Sequence, residues 1–175
     1  MTTAASRCRQ RRETKGEGVG PMALEHDGLL TVLARVNRAR LGLADDGEAF
    51  EAVIEALFRP SEKLAIYGTL APGEVNHHQI AGLGGRWTEA TLQGVLDRVG
   101  QGEHQGLPAL RLDPEGQAVA ARLLESPKLP GAWARLDTFE SREMQRLLAP
   151  VRRGGSLLAV ANVYTLARAM KTALA

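Results

Sequence analysis

Beyond residue 60 the chain keeps breaking its apolar stretches with tight turns, and this spacing restricts its fold more than any other feature. "PALRL" and "QAVAARLL" flank Asp113-Pro114-Glu115-Gly116, and "MQRLLAPVRR" and "SLLAVANVYTL" flank Gly154-Gly155. Asp, Pro and Gly in such runs favour turn conformations, so each pair reads as a hairpin. "TEATLQGVLDRV" alternates: Ala90, Leu92, Gly94 and Leu96 fall on one side, Glu89, Thr91 and Gln93 on the other, as in a strand with one buried face. "KLAIYGTL" reads as a short buried strand ending in a turn. Parallel strands need long, usually helical, crossovers, and few of these gaps can hold one. The pattern therefore argues against a doubly wound sheet. The pattern predicts an α+β fold built on a curled sheet or small mixed β-barrel flanked by helices.

The helices lie mostly ahead of this region. In "DGLLTVLARVNRARLGL", Leu29, Leu33 and Val36, joined by Leu30 and Val32, recur at helical spacing after Asp27, an N-cap candidate. In "DDGEAFEAVIEALFRP", Phe50, Val53, Ile54, Leu57 and Phe58 form one apolar stripe; acids crowd its start and Pro60 stops it. "EVNHHQIAGLGG" reads as one or two helical turns closed by Gly84-Gly85, and "GAWARLDTFES" as a further helical piece. The expected organisation is a disordered basic leader (1–22), a helical extension (23–60) and the α+β domain (61–175). The leader holds Arg7, Arg9, Arg11, Arg12 and Lys15 against Glu13 and Glu17, a balance of +3 in a chain whose total is +2. The remainder is thus slightly acidic, whereas a nucleic-acid binder carries its positive charge on the folded domain. Nucleic acid is not expected as a partner. No run reaches the roughly 18 apolar residues of a membrane helix, so no membrane partner is expected either. The single Cys8 has no internal disulfide partner, which fits a reducing, cytoplasmic setting.

Several chemistries lack their residues. Neither GxGxxG nor a GK[ST] phosphate loop occurs, and there is no GxSxG elbow. Of His26, His77, His78 and His104, only the adjacent pair is close in sequence, and adjacent residues point apart. No metal and no cofactor is expected. Cys8 lies where no base can be held beside it. Two places remain. At Tyr67-Gly68-Thr69-Leu70 a strand ends in a turn whose consecutive amides can cradle a carboxylate; the same residues also suit an ordinary strand end. In "ARLDTFESREMQR", Asp137 and Glu140 share a helical face near Trp133, Leu136 and Phe139. A carboxyl shielded by such neighbours can exchange a proton near neutral pH, while a solvated acidic helix end has the same spacing.

The order of "YGTLAPGEVNHH", "GLPALRLDPEGQAVAARLLE", "LDTFESREMQR" and "VANVYTL" resembles the gamma-glutamylcyclotransferase-like, or avirulence-induced-gene-like, family across residues 63–167. That resemblance implies a small mixed β-barrel flanked by helices. It also implies a small-molecule γ-glutamyl substrate, cyclised to 5-oxoproline with release of the amine, and hence a transferase or lyase activity. By position it makes Glu140 the general acid/base and Tyr67, Gly68, Thr69 and Leu70 the substrate-binding loop. Two positions depart from the family pattern: Ser141 follows Glu140 where the pattern has Gly, and Met144 replaces a Tyr, while Arg146 matches. These departures keep a second reading open, a non-catalytic module on the same fold that binds a carboxylate ligand or a protein.

Overall fold

The computed structural model describes residues 21–98, 108–140 and 144–166. Two helices lead: α1 (Pro21–Arg40) and α2 (Gly47–Phe58). A 3₁₀ turn at Pro60–Glu62 feeds β1 (Lys63–Ile66), and a turn-rich segment with the short α3 (His78–Ala81) follows. Then come β2 (Arg86–Arg98), β3 (Pro108–Leu112), β4 (Gln117–Glu125), α4 (Trp133–Phe139), β5 (Met144–Arg153) and β6 (Ser156–Leu166). The sheet order is β3-β2-β4-β1-β6-β5, and β2 also pairs with β5 at Thr91–Arg152, which closes a five-stranded barrel with β3 as an extra strand. β1 runs parallel to β6 and the other pairs are antiparallel. This is the mixed α+β barrel with an N-terminal helical extension that the turn spacing predicts.

The barrel interior is filled by small and branched side chains from every strand of the ring, among them Ala65, Leu92, Leu123, Val151 and Val163. A second apolar cluster lies outside, where Leu64, Ile66 and Tyr164 meet Ile80 of α3 and Trp133 and Leu136 of α4. A third places Leu33 and Val36 of α1 and Ile54 of α2 against Leu148 of β5 and Val160 of β6. Here Asn37 acts as a strand neighbour. Its buried Nδ2 donates to the Leu148 carbonyl and its Oδ1 accepts from the Leu148 amide, both at 2.8 Å. One side chain thus satisfies two backbone groups that would be costly to bury unpaired.

Three expectations change. α1 begins at Pro21, ahead of Asp27, which lies inside the helix and accepts from the Thr31 hydroxyl at 2.9 Å. The stripe on α2 is only half covered: Ile54 is buried, but Val53 and Leu57 are 53% and 69% exposed, because α2 packs across α1 rather than flat on the barrel. The Asp113–Gly116 turn forms, with the Gly116 amide on the Asp113 carbonyl at 2.9 Å, yet β3 and β4 do not make a hairpin. Both pair with β2, and Gly94 faces Leu112 and Gln117 alike. A side-chain carbon on Gly116 would sit 2.7 Å from the Gly94 backbone, and one on Gly94 2.4 Å from the Arg111 carbonyl oxygen. Two glycines make this crossing possible. The Gly154-Gly155 hairpin of β5 and β6 forms as expected, with both glycines at positive φ.

Candidate functional site

The turn after β1 is built by its own side chains. The Ala71 amide reaches the Gly68 carbonyl at 3.0 Å, and Asn76 grips Thr69 twice: its amide donates to the Thr69 carbonyl and its Nδ2 to the Thr69 Oγ1, both at 3.0 Å. His77 Nδ1 lies 3.0 Å from the Leu70 carbonyl. Since a carbonyl only accepts, this nitrogen carries the proton. The loop's carbonyls are thereby drawn into the turn. Among the described residues nothing accepts a hydrogen bond from the amides of Gly68, Thr69 and Leu70. Leu70 is buried, so only its backbone is available to a ligand. A hollow of about 810 Å³ adjoins the loop, lined by Tyr67, Gly68 and Thr69 with Ala90, Thr91 and Ala120.

Tyr67 sits at the root of the turn with its ring packed on the barrel core. Its hydroxyl donates to the Tyr164 carbonyl and accepts from the Leu110 amide, both at 3.0 Å. Burial pushes this phenol up to about 12; the Leu110 amide opposes the rise and the charge of Glu140 adds to it. The ring therefore braces three strands, and its hydroxyl is already committed.

Glu140 is the C-terminal cap of α4, where its amide donates to the Leu136 carbonyl at 2.9 Å. The helix is pinned from several sides. Trp133 Nε1–H donates to the Ser61 carbonyl at 2.9 Å, Leu136 is fully buried, and Arg135 reaches the Gln79 side chain and carbonyl at 2.9 and 2.7 Å. The Glu140 carboxyl is partly buried and meets no hydrogen-bond donor among the described residues. Burial alone pushes it up to about 7. Glu140 is not in the wall of the hollow beside Gly68 and Thr69. Its charge meets the loop at Tyr67, and it is felt at Tyr164 as well.

Asp137, on the same helix, has the opposite surroundings. Arg146 Nε and Nη2 fork onto its two oxygens at 2.8 and 3.1 Å, and the Tyr164 hydroxyl donates to Oδ1 at 2.7 Å. Burial works against its charge, but the Arg146 fork and the Tyr164 hydroxyl outweigh it and hold the carboxyl below its ordinary value. The Tyr164 phenol is pushed up in turn, by burial first and then by its bond to Asp137. The Arg146 guanidinium also lies 4.4 Å from the centre of the Trp133 ring, a cation–π contact.

The sequence matches the family model described as gamma-glutamyl cyclotransferase, AIG2-like over residues 64–174. The chain belongs to that family. Among solved structures, the chain is similar to YkqA from Bacillus subtilis at 21% identity, covering 60% of this chain and 35% of that one, with a TM-score of 0.42. The chain thus spans about a third of YkqA's length. It is also similar to an AIG2-like protein from Mus musculus at 26% identity, covering 59% of this chain and 76% of that one, with a TM-score of 0.42. An uncharacterized protein from Pyrococcus horikoshii aligns at 15% identity over 60% of this chain and 77% of its own, with a TM-score of 0.44. No curated protein matches the chain.

In this AIG2-like domain Met144 opens β5 opposite Leu166 and packs, partly buried, on the cluster of Trp133, Leu136 and Tyr164. It fills that position with an apolar side chain where the family pattern has a phenol. Ser141, residues 1–20 of the basic leader with Cys8, and His104 lie outside the described residues, while Pro21 and Met22, assigned to that leader, belong to α1. Among the described residues no group of three or more His, Cys, Asp or Glu side chains is placed to hold a metal, and no helix is long and apolar enough to cross a membrane. Sequence reasoning missed Tyr164, Asn162 and Asn76, which organise the site; each is a single polar residue in a stretch that reads as strand or turn.

Proposed function

We propose that this protein cyclises a γ-glutamyl amine or peptide to 5-oxoproline and releases the free amine. One observation carries the reading: the partly buried Glu140 carboxyl, pushed up to about 7, meets no hydrogen-bond donor among the described residues, and its charge is felt at the root of a loop whose three amides find no acceptor among them. The amides of Gly68, Thr69 and Leu70 take the substrate's α-carboxylate, with Tyr67 as the brace beneath them. The substrate's own α-amine is the nucleophile. Glu140 removes a proton from the ammonium, the amine attacks the γ-carbonyl carbon, and the bond from that carbon to the departing nitrogen breaks. Glu140 passes that proton to the departing nitrogen and then takes the second proton from the ring nitrogen, which the freed amine collects as it leaves as its ammonium. Atoms and charge balance with no water and no redox partner. A group near 7 is populated in both forms at neutral pH, as such a shuttle requires. Holding the chain in its folded reactive conformer supplies most of the remaining acceleration, on the order of 7–11 kcal/mol at best.

The partner is accordingly a small molecule, with no nucleic acid, membrane, metal or cofactor in the reaction, and the setting is cytoplasmic. Incubation with a panel of γ-glutamyl amines, amino acids and peptides, with 5-oxoproline read by mass, tests this. Release that Glu140→Gln abolishes supports it, and release that survives the substitution undiminished refutes the assignment of the base. Met144 favours a second reading, a non-catalytic module that binds a carboxylate ligand or a protein on the same fold. That reading predicts saturable binding of a γ-glutamyl compound with no 5-oxoproline formed.

A further inference from the structure

Arg40 closes α1 and lies outside the residues matched by the family, yet its guanidinium is inserted among residues of the matched domain. Nη1 donates to Asn162 Oδ1 at 2.8 Å and to the Arg146 carbonyl at 3.3 Å, and Nη2 pairs with Glu51 of α2. The Arg40 carbonyl accepts from Gln145 Nε2 at 3.2 Å. Asn162, 1% exposed on β6, is the junction. Its Oδ1 takes both Arg40 Nη1 and Arg146 Nη1, the latter at 3.3 Å, while its Nδ2 is tied to the Pro60 carbonyl at 2.7 Å. Arg146 then forks onto Asp137 of α4. Two cations converge on one amide oxygen, and Glu51 and Asp137 balance them from opposite sides. An unbroken chain of hydrogen bonds therefore runs from α2 through α1, β6 and β5 to the short helix whose last turn carries Glu140.

We infer that Arg40 is a positioning residue for the Glu140 site: through Asn162 and Arg146 it fixes the angle of α4, so the N-terminal helices set how the acid is presented. This rests on Glu140 being the acid/base. α4 has only seven residues and no side-chain N-cap, so its orientation depends on such outside ties. The Glu51 partnership makes the link sensitive to how α2 sits. Such placement matters because a displacement of about 1 Å at a reacting group can cost on the order of 100-fold in rate.

The test uses the full chain labelled at Glu carboxyls and Trp indoles and followed by NMR. Trp133 Nε1–H reports α4, and Trp87, whose ring faces His77 at 5.7 Å, is the internal control. Among the described residues, the titratable groups that feel the Glu140 charge are Tyr67, just past β1, and Tyr164 of β6, and neither is altered in the variants. In Arg40→Gln the Trp133 indole signal shifts while Trp87 stays, and the Glu140 midpoint falls by roughly one pH unit as its carboxyl gains solvent. Where turnover is measured, kcat per folded enzyme, with the folded fraction read by circular dichroism, drops about tenfold with KM held. In an Arg146→Gln background the Arg40 substitution adds nothing further, because the chain is already cut. Arg40→Lys keeps the charge without the fork and gives a smaller shift of the same sign, which decides the matter if Arg40→Gln fails to fold. An unmoved Trp133 signal and Glu140 midpoint in a folded Arg40 variant, or full additivity with Arg146→Gln, overturns the inference. A wild type that releases no 5-oxoproline removes the functional reading alone, since the NMR signals still decide the link.

Discussion

Asp137 and Glu140 stand about one helical turn apart on α4, yet the fold treats them as different kinds of acid. Asp137 faces a cleft of about 680 Å³ with Arg40, Glu51, Gln145 and Tyr164, and it is spoken for by Arg146 and a phenol. Glu140 makes its charge felt at Tyr67 and Tyr164, finds no cation among the described residues, and keeps its proton to about neutral pH. The lesson is that spacing along a helix nominates carboxyls, while partners decide which is a structural anion and which is a proton carrier. The anchored acid holds the helix, and the unpaired acid is held by it.

The sharpest way to break this division is to neutralise each acid in turn. Glu140→Gln lowers 5-oxoproline release by about 10²–10⁴-fold, the usual range for a lost general acid/base, whereas Asp137→Asn retains at least roughly a tenth of the rate. Comparable losses of kcat would mean that the two acids share one task.

Stability against pH separates them next. Glu140 moves from an ordinary value of 4.5 to about 7 on folding, so between those limits the native state binds the extra proton, and stability falls as pH rises through the window. Glu140→Gln removes that loss. The variant equals the wild type near pH 4 and exceeds it above pH 7, by about 1–2 kcal/mol once partial exposure is discounted, or several degrees in Tm. Asp137 has the opposite sign. Its carboxyl is depressed on folding, so its contribution is present above the ordinary carboxylate range and is lost as pH falls through the lowered value. Asp137→Asn destabilises by about 1 kcal/mol at neutral pH, a modest figure because the Asp137 side chain is 42% exposed, and the difference fades in acid. Denaturation midpoints across pH check both slopes.

The smallest effect belongs to the loop. Thr69→Val removes one of the two Asn76 contacts and costs about 0.5–1 kcal/mol, with KM raised severalfold and kcat nearly unchanged. A kcat effect without a KM effect would place Thr69 in the chemical step instead of in binding.

Much of the architecture is legible because strand turns and helix stops are local. The Gly154-Gly155 hairpin and the helical piece around Trp133 follow from residues within a few positions of each other, although α3 is capped at Gly82, two residues before the expected Gly84-Gly85 stop. The failed hairpin at Asp113–Gly116 is of another kind. The turn is local, but the choice of partner rests on a close approach between Gly94 and Gly116 that exists only in the folded barrel. The half-exposed stripe of α2 is similar, since nothing in its periodicity tells that α1 intervenes. At the site, both acids and the turn at Tyr67–Leu70 are visible from spacing and turn chemistry. Arg40, Asn162 and Tyr164 are not. Each is one polar side chain in an otherwise apolar or basic run, and its meaning comes from partners that are distant in sequence.

The most direct measurement is the titration of the two carboxyls in a single protein by carbon-13 NMR, with each signal assigned by its loss in Glu140→Gln or Asp137→Asn. A Glu140 midpoint near 7, with Asp137 titrating below its ordinary value, is the predicted result. A Glu140 midpoint near 4.5 would mean a carboxyl open to water and unable to shuttle a proton at neutral pH, which contradicts the central claim.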